Sequence, residues 1–235
     1  SNLFIGWGQL LLEESIFLKA KANNVPRCFY LVNPSYKGKE CLSLSQSEFV
    51  ITDSAATKAF YMDERSKGVY VLPKCIEKPV ISVDPLDRYK FQRLTLVNPS
   101  LKKGLAPFIE IANYFEKEKP SLQLHIVDSR NGLSKHLEKL GEDLSSLPRN
   151  VIIDNGNPNI DSLLGKTSIL LLLSLWHESG SRLIHESHLR GIPVIGYRVG
   201  GNAQLMREFG QQDLFDLPKI DDSYYCNNGW KAWSK

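Results

Sequence analysis

At 235 residues, 42% of them hydrophobic, the chain is long enough to bury a core as one large domain or two small ones. Charged residues make up 23% and the formal net charge is +3, so composition argues against disorder and gives no ground for a nucleic-acid partner. The mild basic balance suits a phosphate-bearing ligand, and it suits many other surfaces equally.

Residues 9–23 predict an amphipathic helix, with Leu10, Leu11, Leu12, Ile16, Phe17 and Leu18 set against Glu13, Glu14, Lys19 and Lys21. Residues 26–32 predict a strand closed by Asn33-Pro34-Ser35, and residues 49–52 a second one. Asp53 or Ser54 then caps a helix reaching residue 62. Residues 69–72 predict a third strand. Residues 73–88 hold three prolines and no helical period, which predicts a linker.

From there the alternation of strand and helix is regular. Strands are expected at 94–97, 122–127, 151–153, 169–173 and 192–195. Between and after them, helices are expected at 105–118, 133–140, 160–164, 181–190 (ended by Gly191) and 202–209, the last following Gly200-Gly201. Strands that are apolar throughout and alternate with helices imply a parallel sheet covered on both faces, a Rossmann-like α/β arrangement. The expected division is therefore an incomplete N-terminal part over 1–85, linker included, and a Rossmann-like domain over 86–235. One five-residue word, Leu-Val-Asn-Pro-Ser, occurs at 31–35 and again at 96–100. Two strand ends using the same turn chemistry explain it, and so would two loops edging one ligand crevice.

The four cysteines, Cys28, Cys41, Cys75 and Cys226, form no Cys-x-x-Cys pair, and no histidine cluster accompanies them at zinc spacing. Free thiols and no metal are expected. No Asn-x-Ser/Thr sequon occurs, because Asn33 and Asn98 each precede a proline. The longest apolar run, at 169–173, is far below the ~20 residues that span a bilayer, and the first five residues lack the features of a signal peptide. A cytoplasmic protein without a transmembrane segment, at most peripheral to a membrane, is the expectation.

Chemistry concentrates between residues 174 and 201. Two acids, Glu178 and Glu186, flank the turn Ser179-Gly180-Ser181-Arg182 at a helix start. The first turn of a helix presents unpaired N–H groups and a partial positive charge, which suit phosphate oxygens. A carboxylate further along, at Glu186, can accept two hydroxyl hydrogen bonds, as from a ribose diol. Taken alone, two glutamates in a helix region read as solvent-facing charge before they read as ligands.

The run from Glu178 to Glu186, then Gly191-Ile192-Pro193-Val194-Ile195, then Gly200-Gly201, resembles the family 4 glycosyltransferases of the GT-B fold. That family carries Glu-x7-Glu, Gly-x-Pro-Val-Ile and a Gly-Gly pair opening a helix in this order. Lys103-Gly104, after the domain's first strand, matches as well, and the likeness covers about 94–217. The resemblance implies a retaining transfer of a sugar from a nucleoside diphosphate sugar to a glycan or lipid-linked acceptor, as in polysaccharide biosynthesis. It implies that Glu178 contacts the donor sugar, that Glu186 holds the ribose, and that the N–H groups of Ser179, Gly180, Ser181 and Arg182 face the diphosphate. It further implies that Lys103 neutralises the departing diphosphate, with Gly200 and Gly201 in the same donor site. The resemblance also implies that no cofactor is required and that front-side attack proceeds with neither a protein nucleophile nor a bound metal.

The sequence departs from the pattern at several places. Asn98, counted with the donor-binding residues, stands where the family has an arginine, the second strand ends in Asp128-Ser129-Arg130 instead of a glycine-rich turn, and Gln204 replaces an acid after the Gly-Gly pair. The N-terminal part is short for an acceptor domain and lacks that domain's glycine-rich loop. Three readings stay open: part of a longer enzyme, a subunit completed by a second polypeptide, or a non-catalytic nucleotide-sugar or carbohydrate binder. A dinucleotide-dependent oxidoreductase needs Gly-x-Gly-x-x-Gly after the first strand, and residues 98–104 do not supply it.

Overall fold

The computed structural model describes residues 2–7, 11–32, 41–61, 68–79, 84–155, 159–210 and 214–216. Over these, the chain divides into two compact units. The first comprises Ser1–Cys75 together with His177–Arg182 and Gly200–Glu208, and the second Ile76–Trp176, Leu183–Val199 and the described residues from Phe209 on.

The first unit contains a four-stranded parallel sheet in the order β1-β2-β3-β4: Phe4–Gly6, Arg27–Leu31, Phe49–Thr52 and Val69–Val71. Helices α1 (Leu11–Ala22), α2 (Leu42–Gln46) and α3 (Ala55–Tyr61) connect the strands. Strand β1 and helix α2 have no counterpart among the predicted elements, being three and five residues long, too short for a period to register. The core collects Phe29, Leu31, Cys41, Leu44, Val50 and Tyr61. Of the two caps weighed for α3, Ser54 takes the role, its Oγ accepting from the Thr57 N–H at 3.1 Å. That leaves the Asp53 carboxylate for other partners.

The second unit is a six-stranded parallel sheet in the order β10-β9-β8-β5-β6-β7. Its strands are β5 (Arg93–Val97), β6 (Gln123–Val127), β7 (Val151–Asp154), β8 (Ile169–Leu172), β9 (Val194–Tyr197) and β10 (Leu214–Phe215). Its helices are α4 (Pro85–Arg88), α5 (Leu105–Glu118), α6 (Leu133–Glu138), α7 (Ile160–Leu164) and α8 (Arg182–His188), with α8 opening on the last residue of the 177–182 segment. The remaining helix, α9 (Gly200–Glu208), belongs to the first unit. The interior strands are mostly apolar and largely buried, as a sheet covered on both faces requires, and Leu105, Phe108, Leu124, Ile126, Leu133, Leu137 and Leu171 fill the core.

The expected linker is not featureless throughout. Asp84 caps α4 by accepting from the Leu86 N–H at 2.8 Å, with Pro85 in the first turn, where a missing N–H costs nothing. Arg88 then buries its guanidinium against the carbonyls of Arg190 (2.8 Å) and Thr167 (3.2 Å). Residues 33–35 of the first copy of the repeated word lie outside the described residues. Cys28 and Cys41 are buried and Cys75 is exposed, none of the three in a disulfide among the described residues.

One polar row crosses this second core. Thr95 on β5 faces His125 on β6 in register, with 3.3 Å between Thr95 Oγ1 and His125 Nδ1, and Thr167 Oγ1 lies 2.8 Å from Thr95 Oγ1. His125 is 3% exposed, and burial, helped by the Arg93 charge, lowers its pKa from 6.5 to about 4 against a weaker pull from Asp154. The folded state thus binds the proton less well than the unfolded chain, so this contribution is whole above pH 6.5 and is lost as pH falls towards 4. About 3 kcal/mol of stability is expected to disappear across that window, at about 1.4 kcal/mol per pKa unit. Urea unfolding at pH 7.5 and 4.5 measures it, and His125→Gln should remove most of the difference. An equal pH slope in wild type and variant would show that other groups carry it.

Candidate functional site

In the six-stranded sheet, β5 sits in the middle, with β6 and β7 continuing to one side and β8, β9 and β10 to the other. Chain direction across the sheet reverses between β5 and β8. At such a switch point the loops leaving the two strands diverge and open a crevice at their carboxyl ends, where open α/β sheets bind ligands. The loops concerned are 98–104 and 173–176.

They touch through backbone. The Leu175 N–H donates to the Lys102 carbonyl at 2.8 Å, and the Lys102 ammonium lies 4.9 Å from the centre of the Trp176 ring. Gly104 has φ +82°, and a Cβ there would run into the Leu173 carbonyl, so both its conformation and its closeness to β8 demand glycine. Lys103, half-buried, is held through its N–H, which donates to Ser100 Oγ at 3.2 Å. Asn98 occupies the left-handed region at φ +49°, which asparagine tolerates better than most side chains. Its Oδ1 accepts from Ser129 Oγ at 2.8 Å, joining the loop after β5 to the loop after β6. The residue in the arginine position therefore serves loop geometry. Asp128, in place of a glycine-rich turn, caps α6 by accepting from the N–H groups of Gly132 (3.0 Å) and Leu133 (2.8 Å).

Glu186 lies on α8 in the second unit, 9% exposed. Its helix is anchored by Arg190, which donates to the Glu186 carbonyl at 2.7 Å and to Asp161 Oδ1 on α7 at 2.7 Å. Gly191, at φ +65°, ends the helical turn as expected.

The remaining predicted residues belong to the first unit and cluster tightly. Glu178 is half-buried, while Ser179 and Gly180 are buried. The Gly201 N–H donates to the Glu178 carbonyl at 2.7 Å. A Cβ at Gly200 would collide with the Glu178 carbonyl, and one at Gly201 with the Ser179 carbonyl. The Gly-Gly pair is thus explained by the turn lying directly on it. Gly180 has φ +146°, open to glycine and strained for other residues. The Ser181 N–H donates to Asn202 Oδ1 at 2.8 Å, so among the expected diphosphate donors this one has an internal partner. His177 stacks on Phe60 at 4.4 Å, with Nε2 3.5 Å from Thr57 Oγ1. Gln204 accepts from the Ala56 N–H at 3.1 Å, capping α3 rather than standing in for an acid.

Sequence reasoning missed Asp53, Lys74 and Asn202. Asp53 Oδ2 accepts from Ser179 Oγ at 3.0 Å and pairs with the Lys74 ammonium, which also donates to the Gly180 carbonyl. An aspartate after a strand and a lysine after Leu-Pro carry no local sign of such a pairing.

The sequence model described as glycosyl transferases group 1 matches residues 93–223, more than half of the chain. The chain belongs to this family. No curated protein matches it by sequence. Among solved structures, this group 1 glycosyl transferase resembles HepE of Anabaena, crystallised with UDP-glucose, at a TM-score of 0.69 and 16% identity over 98% of this chain and 69% of that one. It resembles TarM of S. aureus at 0.65 and 12% identity, over 97% of this chain and 47% of that one. WaaG, a glycosyltransferase involved in lipopolysaccharide biosynthesis, follows at 0.61 and 16% identity over 94% of this chain and 72% of that one. The chain therefore spans about two thirds of HepE and about half of TarM. At such identities the likeness is one of fold, and the fold is GT-B, α/β with parallel sheets. Among the described residues no helix is long and apolar enough to cross a membrane, and no group of three metal-ligating side chains comes together.

Proposed function

We propose that this group 1 glycosyl transferase binds a nucleoside diphosphate sugar through residues 86–235 and transfers the sugar, with retention, to a glycan or lipid-linked acceptor in polysaccharide assembly. The observation that carries the reading is the switch point, where the Lys103-Gly104 loop is locked by backbone contact to the loop following β8. The UDP-glucose bound to HepE supports the donor class by likeness. In this reading Lys103 and the turn from Ser179 to Arg182 stabilise charge on the leaving diphosphate. Glu178 holds the donor sugar, Glu186 the ribose, and Asn98, Gly200 and Gly201 shape the loops around them. No cofactor or metal is assigned, the site is cytoplasmic, and a second polypeptide completing the acceptor side fits the same reading.

One observation favours a second reading, a nucleotide-sugar binder without turnover. Asn98 brings no charge to the diphosphate and is engaged with Ser129. Thermal unfolding against UDP, GDP, ADP and their sugars tests both. A ligand at ~100 times its dissociation constant adds about 2.7 kcal/mol, a rise of roughly 5–10 °C for a chain of this size. A selective rise with transfer or donor hydrolysis supports the enzyme, and a selective rise without turnover supports the binder. A flat panel would sink the donor assignment. Glu186→Ala should weaken the selected nucleotide at least ~100-fold, through loss of two hydrogen bonds to a charged group. Unchanged affinity in a folded variant would remove Glu186 from the site.

A further inference from the structure

We infer that Asp53 and Lys74 are positioning residues, forming a clamp that holds the Ser179-Gly180 turn in shape for a diphosphate. The inference rests on the reading of that turn as part of the donor site. The Asp53 side chain is 1% exposed, at the end of β3, and a carboxylate so placed must be paired. Its Oδ2 accepts from Ser179 Oγ and from the Lys74 ammonium, while Oδ1 is buried without a partner. Lys74 is thus the counter-charge that keeps the carboxylate buried, and the same ammonium donates to the Gly180 carbonyl. One ion pair holds the turn at two points, the side chain of residue 179 and the carbonyl of residue 180.

The consequence reaches the next N–H. In a planar trans peptide the C=O and N–H point in opposite directions. Fixing the Gly180 carbonyl on Lys74 aims the Ser181 N–H the other way, where Asn202 Oδ1 receives it at 2.8 Å. Gly180 at φ +146° would otherwise leave this peptide free to rotate, since glycine accepts most backbone angles. Asn202 is almost fully buried and its Nδ2 has no partner. The turn is therefore restrained from Lys74 on one side of the 180–181 peptide and from Asn202 on the other. A turn fixed in this way before any ligand arrives lowers the ordering cost of binding an anion through its N–H groups other than that of Ser181.

Two measurements test the clamp on the intact chain: amide exchange of a peptide covering 176–182 without ligand, and calorimetric affinity for the nucleotide chosen from the UDP, GDP and ADP panel. Asp53→Asn and Lys74→Met should each speed exchange in 176–182 while leaving α5 protected. Each should weaken the nucleotide about tenfold, and the double variant should be no worse than either single, as for partners in one network. Lys74→Arg, which restores the charge and two donors, should recover most of the affinity. Lys74 is partly exposed, so Lys74→Met serves if Asp53→Asn fails to fold. Unchanged exchange overturns the clamp, whatever binds. Faster exchange with unchanged affinity overturns its donor role. Faster exchange in variants of a chain that binds none of the nucleotides leaves the clamp standing and overturns the donor reading.

Discussion

Asp161→Ala is expected to destabilise the protein by about 3–5 kcal/mol, the range for breaking one side of a buried ion pair. Asp161 and Arg190 are both buried, and Asp161 Oδ1 accepts from Arg190 Nε at 2.7 Å. A second guanidinium lies close by. Arg88 donates to the Arg190 carbonyl, and its own pKa is lowered by burial and by the Arg190 charge. Without Asp161, two cations would share an interior site with carbonyl oxygens for company. The cost should appear as a fall of roughly 10 °C in the unfolding midpoint and a matching shift in the urea midpoint. Arg190→Met should cost a similar amount, because it strands the carboxylate and releases the Glu186 carbonyl. Asp161→Leu with Arg190→Met should recover most of the loss, since an apolar pair needs no desolvation of charge. A double variant as unstable as the sum of its singles would mean that the pair is not the unit that matters. Because Arg190 anchors α8, the single variants should also weaken nucleotide binding through Glu186.

The second large effect is expected at Gly201. Its φ is ordinary, so conformational freedom is not the reason for glycine there. Space is, since an added methyl would sit inside the Ser179 carbonyl oxygen and within 2.8 Å of Ser54 Oγ. Backbone on the opposing side cannot swing away as a long side chain can. Gly201→Ala should therefore cost about 3 kcal/mol, the upper end of overpacking, even though alanine is worth up to ~1 kcal/mol more than glycine inside a helix. Donor binding should fall further than stability does, because the displaced residue belongs to the turn that faces the diphosphate in the proposed function. Gly210→Ala is the control: φ is +71° but nothing lies within 4 Å. A left-handed alanine costs about 1–2 kcal/mol and should leave binding intact. Equal effects at the two positions would show that the Gly-Gly contact does not shape the site.

The contrast between those glycines shows what could be read in advance. Gly200-Gly201 stood out as a motif from its place before a helix, yet the atoms that require it, the carbonyls of Glu178 and Ser179, lie more than twenty residues earlier. Asn98 was legible as a missing charge. That its left-handed backbone and bond to Ser129 give asparagine a use of its own followed only from the loop geometry. His177 is stacked on Phe60 and faces Thr57, neighbours more than a hundred residues earlier that the sequence around it does not announce.

The sequence by itself determined the succession of strands and helices from β5 to α9, because each carries its own period, apolar run or terminating glycine, and these are local signals. It also determined which motifs occur and in what order, hence the coarser family, the group 1 glycosyl transferases. Tertiary structure alone decided that β8 returns beside β5 and creates the switch point, since parallel pairing between distant strands leaves no mark on either. It alone paired Asp53 and Lys74 with residues 179 and 180, and set His125 in a site that holds it neutral. Charge and burial at those positions depend on what packs against them, and neighbours far along the chain are chosen by the fold.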